Sequence, residues 1–461
     1  MIYNENKVDD VQIAYIGGGS RGWAWNLMID LAVEEQLGGT VRLYDTNWDA
    51  ARKNEIIGNS LKNQPDAKEG FIYKAMDSLK EALVGADFVI ISILPGTFDE
   101  MESDVHAPEK YGIYQSVGDT TGPGGIIRAL RTLPMYVEIA HAIENYCPDA
   151  WVINYTNPMG ACVRTLYSVF PKIKAFGCCH EVFGTQELIA HFLCEERGIE
   201  KIAREEIKVN VQGVNHFTWL SRIEYNGENV VPVYAKMADK YRESGFEPGQ
   251  ANNWMNNHFS NANLVKFDLF NRYGVAAAAG DRHLAEFCPP WYLKDHETVK
   301  KWKFSLTPVQ WRKDNLAKLL EKSQKMIVGE EDMKLKTSGE EGVKQMKALL
   351  GLGSFVTNVN LPNYGQLSNV TPGTVVETNA MFSKNRVQPI FSGCMEESVL
   401  ALTLPHIYGQ KLVVDACMTK DMAPAFKAFA TNPLMTASLD DTKALFDTMI
   451  KNTDRYLEYY R

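Results

Sequence analysis

The chain has 461 residues, 45% of them hydrophobic and 23% charged, the composition of a globular protein long enough to bury its core without disulfides or structural metal. Its 48 basic and 57 acidic side chains leave a net charge of -9, and no basic block occurs, which argues against a nucleic-acid partner. No apolar run reaches the roughly 18 residues of a membrane span. The N-terminal stretch MIYNENKVDD has neither a basic nor an apolar leader region, so a cytoplasmic protein without membrane contact is expected.

Strand and helix alternate through the first two hundred residues. Val11 to Gly17 is a short apolar run ending in glycine and predicts a strand. Helical spacing follows from Ser20 to about Gln36. Val41 to Asp45 predicts a second strand and Trp48 to Lys62 a helix. Phe71 to Ala75 predicts a third, weaker strand. SLKEALVGA reads as a short helix, and Asp87 to Ser92 as a fourth strand. Gly124 to Tyr146 has helical periodicity, with a kink expected at Pro134. Trp151 to Tyr155 and Ile173 to Gly177 predict strands five and six, with a helix from Met159 to Val169 between them. This alternation argues for an α/β fold, a Rossmann-like, doubly wound parallel sheet covered on both faces.

After about Arg204 the pattern changes. Charged helical stretches (Trp311 to Gly329, Gly339 to Leu350) mix with strand-like pieces, IKVNVQG, TNVNLPN and TVVETNA. Two domains are expected: residues 1–204 for dinucleotide binding, and residues 205–461 as an α+β unit for substrate, metal and oligomer contacts. The eight cysteines include no CxxC pair and are expected as reduced thiols.

Four segments carry chemistry. The first is Gly17-Gly18-Gly19-Ser20-Arg21-Gly22, at a strand end and a helix start. Glycines there permit the tight turn and close approach of a pyrophosphate to the helix N-terminus. Asp45 ends the next strand, where a carboxylate accepts from ribose hydroxyls and repels the extra phosphate of NADP. Gly17, Gly19, Ser20, Arg21, Gly22 and Asp45 are therefore the candidate NAD contacts. A structural glycine turn with Asp45 capping a helix is the alternative.

The second segment is Cys178-Cys179-His180-Glu181-Val182, at the carboxyl edge of the sheet. Cys and His side by side do not readily face one metal, so a partner from elsewhere is needed, and Val214-Asn215-His216-Phe217 supplies one. One thiolate and one imidazole leave room for substrate oxygens. A buried cysteine and a core histidine are the plainer reading. The third is Gly280-Asp281-Arg282-His283, whose simplest reading is a helix start with Asp281 as N-cap. Near it in kind, Asn154-Tyr155-Thr156-Asn157-Pro158 offers carboxamides to sugar hydroxyls, or simply makes a turn. The fourth is GDTTGPGG, residues 118–125, where Asp119 is a polar contact or a turn residue. Arg128 and Arg131 on the following helix could meet an anion.

Together the IGGGS turn, ILPG, GDTTGPGG, INYTNPM, GCCHEV, VNHFTW, AAGDRH and NVNLPNYGQ resemble the NAD-dependent glycoside hydrolases of family 4 along nearly the whole chain. The sequence CHE followed by Val resembles the branch acting on α-linked uronic acids, closest to the α-galacturonidase type. The resemblance implies a lactate/malate dehydrogenase-like architecture. It also implies a route outside two-carboxylate hydrolysis: oxidation at carbon 3 with NAD, loss of the carbon 2 proton, elimination of the leaving group, water addition and re-reduction. It implies a divalent metal, usually manganese, held by Cys179 and His216. Asp281 matches the base for carbon 2, His180 the position of a general acid, and Asn154 a substrate-hydroxyl contact, with Asp119 and Arg282 as further substrate contacts. An arginine should read the uronate carboxylate, with Arg128, Arg131, Arg282 and Arg386 as candidates. The expected partner is a small oligosaccharide or glycoside containing a uronic acid, and the expected assembly a homodimer or homotetramer. Competing readings are the same chemistry on α-glucuronides or neutral α-glucosides or α-galactosides, a true hydroxy-acid dehydrogenase, and a non-catalytic NAD sensor.

Overall fold

A computed structural model describes residues 1–68, 70–248 and 253–461. Among the described residues the strands form two sheets, one of ten strands and one of four. Six strands of the larger sheet are the predicted ones, the first two begun earlier and the last three trimmed by a residue or two: β2 (Lys7–Ile16), β3 (Leu37–Tyr44), β4 (Phe71–Ala75), β5 (Phe88–Ile91), β6 (Trp151–Asn154) and β7 (Lys174–Gly177). All pair in parallel in the spatial order β4-β3-β2-β5-β6-β7. This is the two-halved dinucleotide-binding order, which reverses direction between β2 and β5. A short β1 (Ile2–Asn4) pairs antiparallel with β2. The β5 run FVII is buried throughout, as a strand covered by helices on both faces must be.

The helices Trp23–Ala32, Trp48–Ser60, Gly122–Tyr146, Met159–Val169 and Glu181–Arg197 connect or follow these strands. Pro134 sits inside the 25-residue helix Gly122–Tyr146, which runs on through it. Proline cannot donate to the carbonyl four residues back. That carbonyl, of Leu130, accepts instead from the Tyr460 hydroxyl at 3.2 Å.

The second sheet comprises β8 (Ile207–Val214), β9 (Phe217–Tyr225), β10 (Glu228–Asn229) and β11 (Ala276–Ala277). The segments TNVNLPN and TVVETNA do not join it. They form β12 (Phe355–Pro362) and β13 (Val375–Ser383), followed by β14 (Arg386–Pro389). β12 runs antiparallel to β7, with Asn360 opposite Gly177, so the larger sheet continues through residues far beyond 204. No helix among the described residues is long and apolar enough to cross a membrane.

Candidate active site

The first turn after β2 is built as a cradle. Gly17 has φ +94°, and an added Cβ would run into the Ser92 carbonyl. A Cβ on Gly19 would lie 2.6 Å from Ala50 and 2.9 Å from the Asp45 carboxylate. Asn54 laces the turn, donating to the carbonyls of Gly18 and Ser20 at 2.8 and 2.9 Å, and is itself held by the Trp25 indole N–H. Gly22 occupies the N-cap of the helix Trp23–Ala32 with no side chain over it. Asp45 accepts from the backbone N–H groups of Gly19 and Asn47, both at 2.9 Å. Gly17, Arg21 and Asp45 line a cavity of about 530 Å³ with Ile93 and Leu94. A glycine cradle at a helix N-terminus, with a carboxylate at the next strand end, fits a dinucleotide. Ser20 folds back, its Oγ accepting from Gly22 N–H at 3.3 Å.

At the carboxyl ends of β6 and β7 lies a second cluster. His216 occupies the two-residue turn between β8 and β9, where Val214 faces Phe217. Its φ is +65°, the left-handed region that non-glycine residues rarely occupy. The turn directs the imidazole inward, 5% exposed, with its ring 4.0 Å from that of His283. Burial and the neighbouring His283 bring His216 down to about 3, so the ring is neutral. The Thr120 hydroxyl gives its one proton to Asp119 Oδ1 at 2.7 Å, so it accepts from His216 Nδ1–H at 3.0 Å. That fixes the tautomer and leaves the Nε2 lone pair for a metal.

Cys179 follows β7 and is half-buried. Burial, then Glu377 and Glu181, push its thiol well above the ordinary range, so the thiolate needs a cation beside it. Asn215, adjacent to His216, bonds toward the Cys179 thiol and donates to Glu377 at 3.2 Å, while its buried Oδ1 has no partner. Among the described residues no group of three or more His, Cys, Asp or Glu side chains is placed to hold a metal by itself. A thiol, a neutral imidazole and an orphaned amide oxygen fit a divalent cation that completes its shell with substrate oxygens.

Other predicted residues fall in different places. Asp119 accepts from Asn157 Nδ2 at 3.4 Å. Burial opposes its ionisation, but Arg128 above all prevails, with His283 and the Thr120 hydroxyl, and holds it at about 2. The His180 ring, half exposed, is tilted against that of Trp23 at 6.2 Å and bonds Glu340 through Nδ1 at 2.9 Å. That bond pushes it up to about 9. Asn154 does not reach the cluster. It is fully buried, accepts from the Tyr136 hydroxyl and from Thr156 N–H, and donates to the Thr156 carbonyl. Its role is to shape the turn that presents Asn157, whose buried Oδ1 has no partner.

Asp281 likewise turns away. Its carboxylate is fully buried and accepts from the N–H groups of Val265 and Lys266 at 3.2 and 3.0 Å, capping the helix Leu264–Tyr273 rather than its own. Arg282 donates to the carbonyls of Ser305 and Ser116 and to the Thr307 hydroxyl. Arg131 is consumed by a buried pair with Asp104, and Arg386 is exposed on β14.

Three more side chains belong here, Glu181 of the CCHEV segment and two, Lys266 and Arg312, that sequence reasoning passed over. Glu181 Oε2 accepts from Gly280 N–H at 2.8 Å and faces His283 at 3.2 Å. Lys266 lines a cavity of about 750 Å³ with His180, Glu181, Phe259 and Gly280. Arg312 lies 5.4 Å from the Phe259 ring centre, and its buried Nε–H has no acceptor among the described residues. Neither Lys266 nor Arg312 sits in a motif, and only three-dimensional placement marks them.

The sequence pattern of family 4 glycosyl hydrolases matches residues 12–195, and that of their C-terminal domain matches residues 211–435. The chain is 61% identical over 462 residues to an alpha-galacturonidase of Thermoanaerobacterium saccharolyticum, covering 100% of this chain and 99% of that one. It is 51% identical over 451 residues to an alpha-galacturonidase of Bacillus subtilis, covering 98% and 99%. The crystal structure of lplD from Bacillus subtilis superposes with a TM-score of 0.92 at 51% identity, over 96% of this chain and 100% of that one. A 6-phospho-alpha-glucosidase from gut microorganisms, in complex with NAD and Mn2+, shares the fold with a TM-score of 0.81 at 19% identity, over 98% and 99%. The chain belongs to glycosyl hydrolase family 4.

Proposed function

We propose that this hydrolase cleaves α-linked galacturonides, using NAD and a divalent cation, manganese first among them. The observation that carries the reading is end-to-end identity of 51% to 61% with relatives named alpha-galacturonidase. The glycine cradle and the Cys179–His216 pair support the cofactors.

When bound, NAD supplies a hydride acceptor and donor for carbon 3, and the cation supplies Lewis-acid polarisation of substrate oxygens. The protein's own groups do the rest. His216, neutral and held by Thr120, presents Nε2 to the cation. Asp119 stays ionised and, with Asn157, offers acceptors to sugar hydroxyls. His180, protonated at neutral pH beside Glu340, is suited to give a proton to the leaving oxygen. Arg312, with a donor lacking an acceptor beside the cavity wall, is the cation offered to the uronate carboxylate.

The test is release of sugar from methyl α-galacturonide, α-glucuronide and α-glucoside, omitting NAD, manganese and thiol reductant in turn. Preference for the galacturonide, lost without NAD or manganese, is the expected result. Equal cleavage of the glucoside would overturn the substrate assignment. NADH accumulation without cleavage would move the protein to the dehydrogenases.

A further inference from the structure

Asp119 and Thr120 sit in a segment, residues 115–121, that is neither helix nor strand. Such backbone keeps one shape only if groups outside it take up its polar atoms. The helix Asp281–Phe287 supplies them. Arg282 donates to the Ser116 carbonyl at 2.7 Å, and Ser116 returns its hydroxyl proton to the Arg282 carbonyl. One turn further on, Glu286 Oε1 accepts from the N–H groups of Val117 and Gly118, both at 2.7 Å. Residues four apart share a helix face. A donor and an acceptor on that face therefore grip Ser116, Val117 and Gly118 in succession.

Glu286 is 1% exposed. Burial pushes its carboxyl up to about 7, against the bonds from Val117 and Gly118. An oxygen in this place accepts from both N–H groups whether the carboxyl is ionised or not, so the grip does not depend on charge. What it grips is a turn. Gly118 has φ +75°, and a Cβ there would lie 2.8 Å from Val105. Asp119 and Thr120 come next, and the Thr120 hydroxyl bonds His216 Nδ1 while donating to Asp119. The same helix also touches the imidazole through His283, with ring centres 4.0 Å apart. It thus reaches His216 by two routes, directly through His283 and indirectly through Glu286, the Gly118 turn and Thr120.

We infer that Glu286 is a positioning residue for the cation site: it fixes the turn that sets Thr120 against His216, and with it the tautomer that leaves Nε2 free. The inference rests on the cation reading proposed above. Glu286 itself transfers no proton and touches no cation.

The experiment uses the full-length protein and separates position from charge. Glu286→Gln removes the charge and keeps an oxygen acceptor of the same reach. Glu286→Asp keeps the charge but is one methylene too short to serve both N–H groups. Manganese affinity in the presence of NAD is read from the electron paramagnetic resonance of the free ion. It should fall by about tenfold in Glu286→Asp, the lower end for a lost outer partner of a ligating histidine. In Glu286→Gln it should stay within about twofold of wild type, since both N–H groups keep their acceptor. Without metal or cofactor, the 15N resonances missing from His216→Gln should show Nδ1 protonated in wild type and Glu286→Gln, and a mixture of tautomers in Glu286→Asp. In a Thr120→Val background the route is already cut, so Glu286→Asp should cost no further affinity, whereas a general loosening of the fold would add its loss there too. Glu286→Met, which keeps the volume and lacks the oxygen, takes its place if Glu286→Asp does not fold. Equal loss in Glu286→Gln, additive loss with Thr120→Val, or wild-type affinity and tautomer in Glu286→Asp would each overturn the inference and leave the proposed function intact. A wild-type protein that binds no manganese would remove the cation reading and the inference together.

Discussion

The imidazole of His216 is committed to one tautomer by the hydroxyl of Thr120. Thr120 donates to Asp119 and so has only lone pairs to offer Nδ1–H. Thr120→Val keeps the shape and removes that acceptor. Metal affinity should weaken by about 10- to 100-fold, as for other lost partners of ligating histidines. Calorimetric titration of manganese checks it, and unchanged affinity would mean the tautomer is set elsewhere. Residue types were readable in the sequence, but side-chain direction was not. Cys179, His216 and Asp119 face one cluster, whereas Asn154 and Asp281 spend their polar atoms on backbone groups next to it. An Asn or Asp at a strand end or helix start bonds the nearest free N–H or carbonyl first, and no spacing rule reveals whether such a group exists.

At the scale of elements, the six parallel strands were legible because five of them are short apolar runs closed by a polar or glycine residue, FIYKA being the weaker exception. The dinucleotide turn was legible for a stronger reason, since its glycines answer to definite collisions. Gly17→Ala would place a side chain at φ +94° against the Ser92 carbonyl. Left-handed backbone alone costs about 1–2 kcal/mol for an L-residue, and the collision adds to it. The expected outcome is a lowered Tm together with at least a tenfold loss of NAD affinity, measured by thermal melts and fluorescence titration. A variant with wild-type NAD affinity would show that the turn does not approach the pyrophosphate. At Pro134 the missing helical donor is replaced from far along the chain, since the Tyr460 hydroxyl bonds the freed Leu130 carbonyl within a continuous helix.

Across the whole molecule, the least legible feature was sheet membership. β12, β13 and β14 look like parts of a second unit in sequence order, yet they extend the first sheet through the pairing of Asn360 with Gly177. Strand periodicity reports which face is buried, not which neighbour is chosen. One consequence is that Asn358 on β12 donates to the Cys179 carbonyl and to Glu377 on β13, so the late strands hold the backbone that carries the thiol. The central claim, cleavage by removal and return of a carbon 2 proton, is tested most directly by wild-type turnover of methyl α-galacturonide in deuterated water. The account predicts deuterium at carbon 2 of the released galacturonate. Full release of sugar with protium retained there would contradict it and return the enzyme to direct displacement at carbon 1.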